Sequence, residues 1–362
     1  MRREPLILGG GPAGSAAAIT LARGGARPLV IERSHETGDA LCGGFLSWQT
    51  LETLASLGIA ADALNRTRVT RVRIFARRRV VETALPAPAI GVSRARLDAL
   101  LLDQARASGA AIERGVVARA IEDRAVRTGD GALLASDALF LASGKHDVRG
   151  VARPAAARGA DPTLGLRTRR RGAGIARCVG DAIELHLFDR GYAGVVLQED
   201  GGANICLAIR RSRLTEAGSP AALLTALAEE LPAFADRLTG DATPTEAIAN
   251  VPYGWRALEG SDGCYRLGDQ AAVIPSLAGE GMGIALTSGV SAAQAWLAGE
   301  QAAAWQSRFA RQTARPVTIA GAIRTLAERP PMIAPLLPLA ARLGLIDAVA
   351  AATRIAKDWR MK

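Results

Sequence analysis

The chain has few of the residues that would mark a metal centre, a disulfide framework or a nucleic-acid surface. Its 362 residues include four cysteines, Cys42, Cys178, Cys206 and Cys264, with no CxxC pair, so neither a zinc site nor structural disulfides are suggested and no metal is expected. Aromatic residues make up 4%, which leaves little for bases to stack on. The charge of +10 is carried almost wholly by arginine, since Lys145, Lys357 and Lys362 are the only lysines. The arginine clusters, residues 77–79 and 167–171, are short, so we expect no nucleic acid, and the excess suits an anionic cofactor or a membrane surface. No run of about 18 apolar residues escapes a charge or a helix breaker. The start, MRREPLILGG, passes from charges into glycines without a signal-peptide stretch. A cytoplasmic protein is the expectation.

What is present is a packed-core composition, 49% apolar and 22% charged, in a length that suits one large or two modest domains. Residues 6–9 are a short apolar run ending in glycines, residues 15–23 are alanine-rich and helical, and residues 28–32 form a second buried strand. Parallel strands need such a crossover. Residues 183–188, 194–198 and 203–209 alternate with period two and are separated by DRGY and EDGG, the pattern of an antiparallel meander. A helix is expected over 221–238.

Gly9, Gly11 and Gly14 form GxGxxG directly after the first strand and at the head of the first helix. Gly9 permits the tight turn, Gly11 lets backbone approach a pyrophosphate, and Gly14 lets helix and strand pack closely. Pro12 and Ala13 open the helix, whose free N–H groups favour an anion. Glu32, with Arg33 after it, ends the second strand where a carboxylate can accept ribose hydroxyls. NAD and FAD both use that arrangement. The stretch GDQAAVIPSLAGEGMG discriminates between them. Gly268 and Asp269 could present a carboxylate to a ribityl chain, while Pro275, Gly279, Gly281, Met282 and Gly283 form a turn at a helix N-terminus, suited to negative charge on a reduced isoalloxazine.

On these motifs the chain resembles the FAD-dependent superfamily of p-hydroxybenzoate hydroxylase, geranylgeranyl reductase and the flavin-dependent halogenases, over about residues 4–310. The segment GVSRARLDALLLDQA is similar to the family's Arg-x-x-Leu/Phe-Asp helix, so the resemblance implies that Arg94 contacts FAD. The stretch DALCGGFLS resembles a reductase segment that lies beside the flavin, which implies a place there for Cys42 and Gly43. Two departures matter: LFLASGKHDVRG replaces the hydroxylase GADG stretch, with Ser143 in the aspartate's position, and the halogenase WxWxIP signature is missing.

The implied fold is α/β: a Rossmann-like FAD-binding domain (GR2 type) of residues 1–70, 94–150 and 264–310. An inserted antiparallel β-sheet substrate domain covers 71–93 and 151–263, and helices cover 311–362. The implied cofactors are noncovalent FAD and NAD(P)H as electron donor. Hydroxylation of a hydrophobic aromatic or polyketide-like substrate is the first expectation. Reduction of an isoprenoid C=C bond is the alternative, and a non-catalytic flavin- or lipid-binding protein the reading from another class. Cys42 is a candidate proton relay or packing residue, and His146 a candidate general base or turn histidine. Tyr192 and Trp255 are candidate substrate contacts. The tail, with Arg342, Arg354, Lys357 and Arg360 among apolar residues, suits peripheral contact with a membrane's inner face.

Overall fold

The computed structural model describes residues 4–122 and 124–356. The last six residues of the amphipathic tail, with Lys357 and Arg360, lie outside them.

The expected α/β core is present. Five strands run parallel in the order Cys264–Arg266, Leu139–Leu141, Leu6–Leu8, Leu29–Glu32, Ala111–Arg114. They are short and buried, as in a sheet covered on both faces. Helix Pro12–Arg23 follows the first strand, and it packs so closely on helix Gly281–Leu297 that a Cβ at Gly289 would lie 2.2 Å from the Ala13 carbonyl oxygen. Between the dinucleotide strands, Ala118–Glu122, Ala125–Thr128 and Leu133–Ala135 form a small separate sheet that sequence periodicity did not announce.

The second large sheet has nine strands drawn from Phe45–Leu46, Val69–Ala76, Arg79–Gly91 and six pieces between Thr163 and Val251. It departs from the expected antiparallel arrangement at one seam, where Ala182–Phe188 runs parallel to Val69–Ala76. That seam joins two distant stretches of chain into one sheet. The helix expected over 221–238 is broken at Pro232 into Pro220–Glu230 and Pro232–Ala235, because proline cannot supply the N–H of a continuing turn. Helix Ala302–Ala327 runs through residue 310, where the tail was expected to begin, and buries Trp305 and Phe309 in the main core.

One face of this sheet hides a charged cluster. Glu184 is fully buried and accepts from Arg237 Nε (2.8 Å), Arg237 Nη2 (2.7 Å), Arg73 Nη1 (2.6 Å) and His186 Nε2 (3.0 Å). Phe75 stacks on the His186 ring at 4.2 Å. Burial alone would push Glu184 up, but the hydrogen bonds from Arg237 and His186 hold it at about 2, while burial lowers His186. Both groups stabilise the fold most above their ordinary titration ranges and lose that contribution as protons bind. Stability is therefore expected to fall from pH 6.5 towards pH 3, with Glu184 contributing about 2 kcal/mol of that loss. Thermal melts across that range check this: a Glu184→Gln variant should melt lower than the parent at pH 7 and respond less to acid.

Candidate active site

Two connected cavities lie where the carboxyl ends of the parallel strands meet the second sheet. The outer cleft is about 770 Å³ and is lined by Gly9 to Gly11, Glu32, Arg33, Arg94, Lys145, His146 and Asp269. The inner cavity is about 200 Å³. Gly11, Arg94, Lys145 and Asp269 line both, so the two form one elongated site.

At the head of the cleft the glycines do what close packing requires. Gly9 has φ +106°, and a Cβ there would lie 2.5 Å from the Ala142 carbonyl oxygen. Gly14 is tighter, since its Cβ would lie 1.9 Å from the Gly9 carbonyl oxygen. Helix Pro12–Arg23 starts at N-cap Gly11 with Pro12 in its first turn and no side chain capping it, leaving an open N-terminus aimed at bound negative charge. Glu32 accepts from Gly10 N (2.8 Å) and Ser34 N (3.0 Å). These bonds fix the carboxylate, and each oxygen keeps acceptor capacity for a diol.

Arg94 caps the other wall. Its guanidinium grips Asp98 at 2.8 and 2.6 Å, and its backbone N–H donates to Asp39 Oδ1 at 2.8 Å. Burial pushes the Asp98 carboxyl up against the pull of Arg94. Asp269 meets Lys145 Nζ at 3.1 Å, and the Asp269 charge raises the lysine pKa, so the ammonium persists at neutral pH. Gly268 N donates to Ser288 Oγ at 2.8 Å, which ties the GDQ turn to the second glycine-led helix.

The inner cavity is lined by Leu41 to Phe45, Ile248, Val251, Tyr253, Val273 and Met282 among others. Its polar edge combines the two helix N-termini, at Pro12 and Gly281, with Arg94, Lys145 and Asp269. Cys42 and Gly43 lie on this wall, and Asn204 Nδ2 holds their carbonyls at 3.0 and 2.9 Å. Gly279, at φ +62°, turns the chain beneath the Phe45 ring. Behind that turn Glu280 is buried and pairs with Arg354, which also donates to the carbonyls of Ala278 and Gly279. Gly283 packs on Glu280 and has room for nothing larger. Burial raises the Glu280 carboxyl against the opposing charge of Arg354.

The structure thus gathers Gly9, Gly11, Glu32, Arg33, Arg94 and Asp269 in the cleft and Pro12, Ala13, Cys42, Gly43, Gly268, Gly279, Gly281 and Met282 around the inner cavity. Pro275 stands between the cavity-lining Ile274 and Ser276. His146 lies in the outer cleft, where its Nε2 meets Arg33 at 2.8 Å, and burial followed by Arg33 and Lys145 holds its pKa low. That position is away from the inner cavity and suits a cofactor contact better than a base acting on substrate. Tyr192 is buried outside both cavities, its hydroxyl 2.8 Å from Ser276 Oγ. Trp255 lines a third pocket. Asp39, Lys145, Asn204, Tyr253 and Arg354 were not marked by any motif. Among the described residues no group of three His, Cys, Asp or Glu could hold a metal ion.

The donor set fits FAD: a glycine-cradled helix N-terminus, a diol-accepting carboxylate and a second helix N-terminus facing an apolar cavity. Comparison with known proteins agrees. Residues 3–129 match the FAD binding domain family. Geranylgeranyl diphosphate reductase of Nicotiana tabacum is 36% identical over 115 residues, which is 30% of this chain and 24% of that protein. The chain therefore spans about a quarter of the length of this curated relative. Among solved structures, a flavoprotein/dehydrogenase from Cytophaga hutchinsonii superposes with TM-score 0.79 at 17% identity, over 97% of this chain and 93% of that one. PqsL of Pseudomonas aeruginosa, described as a probable FAD-dependent monooxygenase, gives TM-score 0.70 at 19% identity over 93% and 100%. Residues 3–129 are thus similar to the FAD binding domain family, and the chain shares the fold of these two solved structures.

Proposed function

We propose that this protein is an NAD(P)H-driven FAD monooxygenase that hydroxylates a hydrophobic aromatic or polyketide-like substrate in the inner cavity. The observation that carries this reading is the cavity itself, a mainly apolar chamber of about 200 Å³ lined by the Cys42 loop, the second sheet and the Gly281 helix. When bound, FAD supplies two-electron reduction by a nicotinamide and reaction of the reduced ring with dioxygen. Gly9, Gly11, Pro12, Ala13 and Gly14 would hold its pyrophosphate, Glu32 and Arg33 its adenosine end, and Arg94, Gly268 and Asp269 its middle. Pro275, Gly279, Gly281, Met282 and Gly283 would border the ring, with Cys42 and Gly43 opposite. With substrate and cofactor in place, the apolar part of these walls would disfavour water, an exclusion such chemistry needs to stay coupled to product.

Alkene reduction is the second reading. It is favoured by the Cys42-Gly43-Gly44 loop on the cavity wall, where a thiol could relay a proton. Labelled dioxygen with NADH or NADPH and phenolic substrates separates the two. We expect one labelled atom in the product, the other in water, and no turnover without oxygen. In that case Cys42→Ser changes coupling only modestly. Anaerobic product, together with a loss of about a hundredfold or more in the serine variant, would establish the reductase instead.

A membrane surface as the place of work rests on the C-terminal helices. Met332, Leu336, Leu339, Leu343 and Leu345 are each at least half exposed within one short stretch of helices, and clustered exposed apolar side chains mark interaction surfaces. Arg329 and Arg342 accompany it, with Asp347 the one acid among residues 329–348, a balance that favours anionic lipid. Arg354 does not belong to this basic face, because it is turned inward onto Glu280. No helix among the described residues is long and apolar enough to cross a membrane. Co-flotation with phosphatidylglycerol vesicles is expected, and Leu336→Glu with Leu339→Glu should abolish it. A parent protein that stays at the bottom of the gradient refutes this.

A further inference from the structure

Beside the inner cavity lies a third pocket of about 430 Å³ whose walls include Arg158, Arg210, Arg256 and Arg324 together with Tyr253 and Trp255. Val251 and Tyr253 line this pocket and the inner cavity alike. The two spaces are therefore neighbours, separated by those side chains.

The charges around the pocket do not balance. Glu328 pairs with both Arg210, at 2.9 Å, and Arg324, at 2.6 Å, so one carboxylate serves two guanidiniums. Asp161, the nearby acid, is turned to Ser212, accepting from its N–H at 3.0 Å and its hydroxyl at 2.8 Å. Arg256 gives one N–H to the Ala310 carbonyl at 2.7 Å. Among the described ion pairs neither Arg256 nor Arg158 meets a carboxylate. Four guanidiniums against Glu328 and Asp161, whose carboxyl the Arg210 charge helps to hold low, leave an excess of two positive charges beside a concave space. Guanidinium forks match carboxylate and phosphate oxygens in pairs. The aromatic members supply flat apolar contact alongside, and Tyr253 is fixed between Arg324, 4.8 Å from its ring centroid, and Ser276, to which its hydroxyl donates at 2.8 Å.

We propose that this pocket takes the anionic head, a carboxylate or a phosphate ester, of a substrate whose apolar body passes Tyr253 into the inner cavity. This rests on the inner cavity being the substrate site and narrows the substrate class to amphiphilic organic anions. An uncharged hydrocarbon or phenol would leave the guanidiniums unmet. An anion would neutralise them while its body stays on the apolar side.

The test is calorimetric titration of the FAD-loaded protein with decyl phosphate, decanoate and decanol below their micelle-forming concentrations. At least one of the two anions should bind about tenfold or more tightly than decanol, and a preference between them names the head group. Arg158→Gln and Arg256→Gln should each weaken the anions about fivefold or more and leave decanol unchanged. Arg158 stands on an exposed surface turn, so its variant folds even where loss of the Arg256 bond to Ala310 disturbs its helix. Equal affinity for decanol, anion binding indifferent to both variants, or displacement of decyl phosphate by NADPH would overturn the assignment. The visible flavin spectrum of the same samples keeps the two readings apart. An FAD-loaded protein indifferent to head-group charge contradicts the pocket, whereas a protein that holds no FAD contradicts the function proposed above.

Discussion

A Gly14→Val variant is expected to lose bound FAD almost completely. The Cβ of any residue at this position would lie 1.9 Å from the Gly9 carbonyl oxygen and 3.1 Å from Ile7 Cγ2. The first of these atoms is backbone and belongs to the turn that would cradle the pyrophosphate, so the clash cannot be relieved by moving a side chain. Either the helix start lifts from the strand or the turn opens, and each displaces the N–H groups from the site. Overpacking of this kind costs about 1 to 3 kcal/mol or more, and every 1.4 kcal/mol taken from cofactor affinity is about tenfold. Flavin content per polypeptide and the melting temperature should both drop. Gly174→Ala is the matched control: its helix Ala173–Val179 lies away from the cleft and nothing stands within 4 Å of the added carbon, so it should keep its flavin and melt no lower than the parent.

Arg354→Ala should destabilise the protein at least as strongly, although it lies far from any sequence motif. The Arg354 and Glu280 side chains are 8% and 1% exposed, and the guanidinium also stacks over Trp48 at 5.2 Å. Removing the cation leaves a carboxylate buried against Ser47 and Gly283 with little else to balance it, and breaking a buried pair from one side costs about 3 to 5 kcal/mol. Because Glu280 precedes the helix that borders the inner cavity, flavin retention should fall together with stability. Adding Glu280→Gln to Arg354→Ala removes the stranded charge and should recover part of the loss. A double variant no more stable than the single one would show that the arginine acts through packing on Trp48 and the turn carbonyls instead.

The parts of the site that the sequence displays are those built from contiguous residues. GxGxxG between an apolar run and an alanine-rich helix is a local strand, turn and helix, and Glu32 is fixed by the length of one crossover. Lys145 and Asp269 are different. They meet because Leu139–Leu141 and Cys264–Arg266 pair in parallel with Leu141 opposite Arg266, which sets the two following loops side by side. No periodicity records that pairing. The parallel seam between Val69–Ala76 and Ala182–Phe188 escaped notice for the same reason, and Asn204 reaches the Cys42 loop only because the second sheet folds over the first domain. Arg354 was misleading in another way: a basic residue spaced along an apolar helix resembles a lipid-facing charge, and only tertiary structure reveals the buried acid it neutralises. Tyr192 likewise looked like a pocket aromatic, whereas its hydroxyl is consumed by Ser276 behind the glycine turn.

The function proposed above depends on a flavin lying along the cleft and into the inner cavity, held without a covalent bond. The most direct measurement is the absorption spectrum of the purified protein, recorded before and after acid or heat denaturation and followed by chromatography of the released small molecules. Flavin bands in the native protein that pass wholly into the low-molecular-weight fraction as FAD are the predicted result. A colourless protein that takes up no added FAD would contradict the account.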